Sequence, residues 1–216
     1  MSEPLLRPDI TKYLDELVPE RHPVLVEMED VARKSDFPII GPSCGHFCYL
    51  LARLIGAKQI FELGSGYGYS TAWFARAVKE NGGGRVHHVV WDEKLSSRAR
   101  EYLKRMELDD VVEFHMGEAV ATLREQRGPF DIVFNDIDKD GYPASLDVVV
   151  DRVRKGGLLI TDNLLWSWRM LDKNDMTPAT EGVRELTRLV YSDKRWIPAI
   201  VPLRDGMLVA VRAGDG

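Results

Sequence analysis

Short apolar runs recur along the chain at residues 59–63 (QIFEL), 86–90 (VHHVV), 111–114 (VVEF), 130–134 (FDIVF), 158–161 (LLIT), 197–201 (IPAIV) and 207–211 (MLVAV). Rich in β-branched residues and bounded by turn formers, they read as seven buried strands. Between the first five lie stretches with helical character. Residues 69–78 place Ala72, Trp73, Ala75, Arg76 and Ala77 without a breaker, and Leu95, Ala99, Tyr102, Leu103 and Met106 follow a three-and-four spacing. Residues 142–153 and 180–191 repeat the pattern. Alternating strands and helices imply a mostly parallel sheet wrapped by helices on both faces. The last two strands are joined only by PLRDG at 202–206, too short for a helical crossover, so that pair is expected to be antiparallel. No repeat or Pro/Gly/Ser linker interrupts the pattern. The expectation is one α/β domain over residues 1–216, with a helical cap region at 1–55 and a Rossmann-like, doubly wound core at 56–216.

Composition narrows the class without changing that picture. With 44% hydrophobic and 29% charged positions in 216 residues, the chain has a globular profile and enough length to bury a core without staples. A formal charge of -5 argues against a general grip on nucleic acid, which requires basic surface to displace counterions. Cys44 and Cys48, one helical turn apart, lack partners at metal-ligand spacing and read as small apolar side chains on a helix. His87 and His88, inside a strand pattern with one on each side, read as structural. The opening residues show no secretory leader, and no apolar run approaches the roughly 20 residues of a membrane span. A cytoplasmic protein without a membrane or nucleic-acid partner is therefore expected.

In open sheets of this kind, ligands bind beyond the carboxyl ends of the strands, so the strand ends carry the chemistry. The first strand ends Glu62-Leu63-Gly64-Ser65-Gly66-Tyr67-Gly68-Tyr69-Ser70. Its glycines permit a tight strand-to-helix turn and a close ligand approach. The spacing is G-x-G-x-G, and Tyr69 occupies the place where a dinucleotide fingerprint needs its third small residue. Glu62 at the mouth repels a pyrophosphate but suits a ligand carrying ammonium or sulfonium, which favours S-adenosylmethionine (SAM) over NAD. The second strand ends at Asp92, which has two competing readings, an acid for ribose hydroxyls or a helix cap. The fourth strand ends Asn135-Asp136-Ile137-Asp138-Lys139 and the fifth Thr161-Asp162-Asn163. As neighbours, these ends gather Asp136, Asp162 and Asn163, hard oxygen ligands suited to Mg²⁺, with Ca²⁺ or Mn²⁺ as further candidates.

The stretches 62–70 (ELGSGYGYS), 130–142 (FDIVFNDIDKDGY), 156–166 (GGLLITDNLLW) and 202–206 (PLRDG), with 19–25 and 45–51, resemble the cation-dependent class I SAM-dependent O-methyltransferases of the caffeoyl-CoA/catechol type. The likeness runs over nearly the whole chain and includes the 26-residue step from Asp136 to Asp162. The resemblance implies that Asp136, Asp162 and Asn163 hold the metal and that Lys139 is the general base. It further implies that Glu62, Gly64, Gly66 and Ser70 form the SAM loop, that Glu118 and Ala119 meet the adenine edge, and that Ile40 and Ser43 close over SAM. It also suggests a homodimer. Three features depart from the family pattern. Val90 rather than Asp92 falls at the ribose acid, Thr187 replaces a common Asn, and Gly41-Pro42-Ser43-Cys44 replaces an acidic stretch.

The function these readings imply is divalent-metal-dependent methyl transfer from SAM to a hydroxyl of a small, catechol-like phenolic acceptor. Trp166 and Trp168 are candidates for the pocket walls, with core packing as the competing reading. Three rivals stand beside it: a metal-dependent methyltransferase on modified tRNA carboxylates, an NAD-dependent dehydrogenase, and a non-catalytic SAM-binding protein.

Overall fold

A computed structural model describes residues 8–213; residues 1–7 and 214–216, which the expected domain range includes, lie outside the described residues. The chain begins with three helices, α1 (Pro8–Glu16), α2 (Pro23–Ser35) and α3 (Gly41–Leu54). Strand and helix then alternate: β1 (Gln59–Leu63), α4 (Tyr69–Glu80), β2 (Arg85–Val90), α5 (Glu93–Arg105), β3 (Val112–Met116), α6 (Ala119–Glu125), β4 (Phe130–Asn135), α7 (Tyr142–Val149) and β5 (Val153–Thr161). The chain closes with α8 (Pro178–Ser192), β6 (Trp196–Val201) and β7 (Met207–Arg212). Seven strands form one sheet in the order β3-β2-β1-β4-β5-β7-β6. The first five are parallel, and β7 runs antiparallel to both β5 and β6.

Why the central strands are apolar throughout follows from the layers. Successive side chains on a strand point to opposite faces, and helices cover both. Ile60, Ile132, Phe134 and Ile160 enter a core with Met28, Cys44, Cys48, Trp73 and Phe74. Phe61, Leu63, Val133 and Leu159 enter a second core with Leu123, Leu146, Val183 and Leu186. Cys44 and Cys48 are free and buried, as small apolar side chains would be. The N-terminal helices join the first core. Arg21 and Tyr69 both meet Glu29, at 3.0 and 2.8 Å, which ties the α2 region to α4.

The largest boundary shifts from the sequence reading lie at the end of α7 and the start of β5. The helix expected over 142–153 ends at Val149, and Val153 already pairs with Phe130 as the start of β5. A run of β-branched residues suits either state, and the open edge of β4 decides it. A seven-residue helix, α6, fills the β3–β4 crossover; it is too short for its period to show in the sequence.

Candidate active site

Strand register sets the site. Leu63 pairs with Asn135 and Asn135 with Thr161, so Gly64, Asp136 and Asp162 leave the sheet side by side. The Asp136 amide donates to the Leu63 carbonyl at 2.9 Å, and the Asp162 amide to the Asn135 carbonyl at 3.2 Å. Gly64 lies at φ +85°, and a Cβ there would stand 2.6 Å from the Asp136 carbonyl oxygen. Glycine is thus required twice, by conformation and by space.

Above these strand ends opens a cavity of about 540 Å³. Its lining includes Ile40, Gly64, Gly66, Ser70, Glu118, Ala119, Asp136, Lys139, Asp162 and Asn163, all of them expected from the sequence. Glu62, expected at the mouth of the loop, instead lies beneath it, fully buried and not among the residues that line the cavity. Its Oε2 accepts from the Thr71 hydroxyl at 2.5 Å, which in turn meets His88 Nδ1 at 2.9 Å. Glu62 Oε1 has no partner, and burial pushes the carboxyl up to about 7 against the pull of the nearby Ser70, Thr71 and Ser65 hydroxyls. Helix α4 starts at Gly68 without a side-chain cap, which leaves its positive end facing the loop.

On the other side of the cavity, Lys139 Nζ donates to Asp136 Oδ1 at 3.0 Å and to the Ile137 carbonyl at 3.2 Å. The ammonium also stands over the rings of Tyr142 and Trp166, 5.3 and 6.0 Å from their centroids. Burial raises the pKa of Asp136 against the pull of Lys139. Burial, then repulsion from Asp136, pushes Asp162 up to about 7. Asp162 Oδ1 is buried without a hydrogen-bond partner. Tyr142 donates its hydroxyl to the Asp162 carbonyl at 2.9 Å, and Asp205 accepts from Asn163 Nδ2 at 3.3 Å. Two adjacent carboxylates, one with an orphaned oxygen, plus an oriented amide match the donor set of a hard divalent cation. The residues present therefore fit such an ion.

Several expected residues stand elsewhere. Asp92 caps α5 instead of lining the cavity: its Oδ1 accepts from the Lys94 and Leu95 amides at 2.7 and 3.1 Å, because a helix start offers unpaired N–H groups. Val90 and Trp91 line the cavity in its place. Ser43 sits in the first turn of α3, where its amide donates to Asp15 Oδ1 at 3.1 Å. Trp166 lines an adjoining groove and donates to Thr180 Oγ1 at 3.0 Å, whereas Trp168 is 37% exposed and lines neither.

Trp91 and Arg204 are among the cavity residues with no counterpart in the expected set. Trp91 is 72% exposed at the lip, and the only sign of it in the sequence is an aromatic directly after a strand. Arg204, at φ +52°, donates to the Ile39 carbonyl and its charge acts on both Asp136 and Asp162. It lies within the PLRDG stretch, but only the fold brings it to the carboxylates.

A doubly wound sheet with a glycine turn after β1 and acids ending β4 and β5 defines a nucleoside-cofactor enzyme of the class I methyltransferase type. Known proteins agree. A family model described as O-methyltransferase matches residues 15–213. A catechol O-methyltransferase of Niastella koreensis is 30% identical over 94% of this chain and 96% of its own length. A caffeoyl-CoA O-methyltransferase of Medicago sativa is 28% identical over 90% of this chain and 83% of its own. The crystal structure of the Bacillus cereus O-methyltransferase in complex with SAH superposes with a TM-score of 0.85 at 29% identity, covering 94% of this chain and 97% of that one. The chain belongs to the O-methyltransferase family, as a SAM-dependent enzyme. No helix among the described residues is long and apolar enough to cross a membrane.

Proposed function

We propose that this enzyme methylates a hydroxyl of a small catechol-like acceptor with the help of a divalent cation on Asp136, Asp162 and Asn163. The observation that carries the reading is the pair of carboxylates at adjacent strand ends, Asp136 half-buried and Asp162 buried with its Oδ1 unpartnered, beside the Lys139 ammonium. A divalent cation held by these residues would supply Lewis acidity that lowers the pKa of an acceptor hydroxyl, and SAM would supply the methyl. The names of the similar catechol and caffeoyl-CoA enzymes support a phenolic acceptor.

Each protein group has a task in this reading. Glu62 Oε1, lacking a donor of its own, accepts from the cofactor's ammonium, and the uncapped start of α4 with Ser70 receives its carboxylate. Glu118 holds α6 by accepting from the Val120 amide at 2.9 Å, which places Gly117 and Ala119 at the far end of the cavity for the adenine edge. Trp91 offers a face at the lip for a flat ring. As general base Lys139 acts in its neutral amine form, after its ammonium has given a proton to solvent: Nζ then takes the acceptor's hydroxyl proton, and the rings of Tyr142 and Trp166 fix where that nitrogen stands.

Turnover of a catechol with SAM is expected to vanish with chelator and to return with Mg²⁺. Metal-independent turnover sinks the two-aspartate reading. Lys139→Ala is expected to lower turnover by about 10²–10⁴-fold with SAM affinity retained, the usual range for a general base. Full activity of that variant rules Lys139 out as the base.

A further inference from the structure

The β2–β3 edge of the sheet carries a group of side chains for which methyl transfer has no use. Parallel pairing sets His87 opposite Glu113 and Val89 opposite His115. The two-residue period of a strand then puts His87, Glu113 and His115 on one face. His87 Nδ1 lies 3.0 Å from His115 Nε2. Glu113 Oε2 lies 3.9 Å from His87 Nδ1 and Oε1 3.5 Å from His115 Nε2, and one ligand atom from each of the three residues falls within 4.8 Å of the others. Ligands about 2.0–2.2 Å from a tetrahedral zinc ion stand about 3.3–3.5 Å from one another. The three separations straddle that value, so small side-chain rotations close the set.

The rings are positioned by packing as well as by each other. Phe61 stacks on His87 with centroids 5.6 Å apart, Phe130 meets His87 edge-on at 5.3 Å, and His115 lies within 13° of the His87 plane. Burial pushes His87 down to about 4 and lowers His115 as well, so each ring is neutral near pH 7 and keeps a lone pair. The Glu113 side chain is 50% exposed, which leaves an entry path and room for water as a fourth ligand. Two imidazoles and one carboxylate select Zn²⁺ and its neighbours in the transition series, whereas Mg²⁺ and Ca²⁺ prefer an all-oxygen set.

We infer that His87, Glu113 and His115 form a second metal site, for a Zn²⁺-class ion, on the outer edge of the sheet and independent of the carboxylate pair. On loading, the ion replaces the proton between His87 Nδ1 and His115 Nε2, and that proton moves through solvent to the other nitrogen of its own ring. A bound ion ties edge strand β3 to β2 through side chains.

The test is metal content measured in the presence of a hard competitor. The full chain is stripped with chelator, then dialysed against Zn²⁺ with Mg²⁺ in large excess to fill oxygen sites. The expected result is one tightly held Zn²⁺ per chain, and with Co²⁺ in its place the visible absorption of a four-coordinate ion. Glu113→Gln and His115→Gln are each expected to weaken Zn²⁺ by more than about 100-fold, beyond the roughly 10–100-fold of an outer-shell partner. Because Glu113 is on the surface, its variant leaves the core intact and reads the site alone. Failure to retain Zn²⁺ against Mg²⁺, or variants that hold Zn²⁺ as tightly as the parent, overturns the site and leaves a hydrogen-bonded histidine pair.

Discussion

Glu62 is fully buried one residue before the end of β1, yet it is a carboxylate with one oxygen unpaired. Its folded pKa, about 7, stands above the ordinary value of 4.5, so the fold favours the protonated form. That contribution to stability is fully present below the unfolded pKa and is lost as pH rises through the folded one. Glu62→Gln keeps the shape and removes the charge. The cofactor-free variant is therefore expected to lose less melting temperature than the parent between pH 5 and pH 8. SAM affinity is expected to fall by about 10–100-fold, the equivalent of a charged hydrogen bond worth about 1.5–3 kcal/mol. Unchanged SAM affinity by calorimetry makes Glu62 purely structural. Residues such as Glu62, Asp136 and Asp162 were legible in the sequence because a carboxylate at the end of a buried apolar run is costly to desolvate unless a ligand meets it there. Asp92 was not, because a ribose acid and a helix cap call for the same side chain at the same place, and only the two amides it meets decide for the cap. Trp91 and Arg204 left no such mark, since their part depends on which loops the fold brings beside them.

The elements that hold Lys139 show a dependence no local pattern displays. Lys139 opens a 3-10 turn, Lys139–Gly141, that leads into α7. Helix α8 presses on this turn through Gly182, where a Cβ would stand 2.0 Å from the Lys139 carbonyl oxygen. Gly182→Ala must therefore shift either α8 or the turn that carries the base. Overpacking of this kind costs about 1–3 kcal/mol. A displacement of about 1 Å at a reacting group costs up to about 10²-fold in rate. The expected outcome is a clear fall in turnover with SAM affinity unchanged, since the SAM loop lies on β1 and α4. Equal loss of both locates the strain elsewhere. The strands, with their two-residue period, and the helices of roughly ten residues or more could be read from periodicity. The short helix α6 and the bends in Trp166–Leu171, where Ser167 and Trp168 take positive φ, lie below that length. Gly182 in the sequence is only a weak helix former; its reason is the backbone of another element.

Across the whole molecule, the excess of acid that gives a formal charge of -5 has a local component. Parallel pairing of β1, β4 and β5 drives Asp136 and Asp162 together, and the fold pushes both carboxyls above their ordinary range. Without a cation the pair favours a bound proton, so its contribution to stability is present at low pH and is lost as pH rises through about 7, the folded value for Asp162. A divalent cation competes with that proton, because its ligands must be ionised to bind. Mg²⁺ is therefore expected to raise the melting temperature more at pH 8 than at pH 6. At 100 times its dissociation constant, a ligand specific for the folded state contributes about 2.7 kcal/mol. For a chain of this size that is about 5–11 °C. Asp162→Asn should abolish the Mg²⁺ increment and, metal-free at pH 8, should melt above the parent, since it removes the repulsion along with the site. Scanning calorimetry at the two pH values, with and without Mg²⁺, separates the outcomes. An increment equal at both pH values, or one that survives in Asp162→Asn, means that Mg²⁺ stabilises the chain from somewhere other than these two carboxylates.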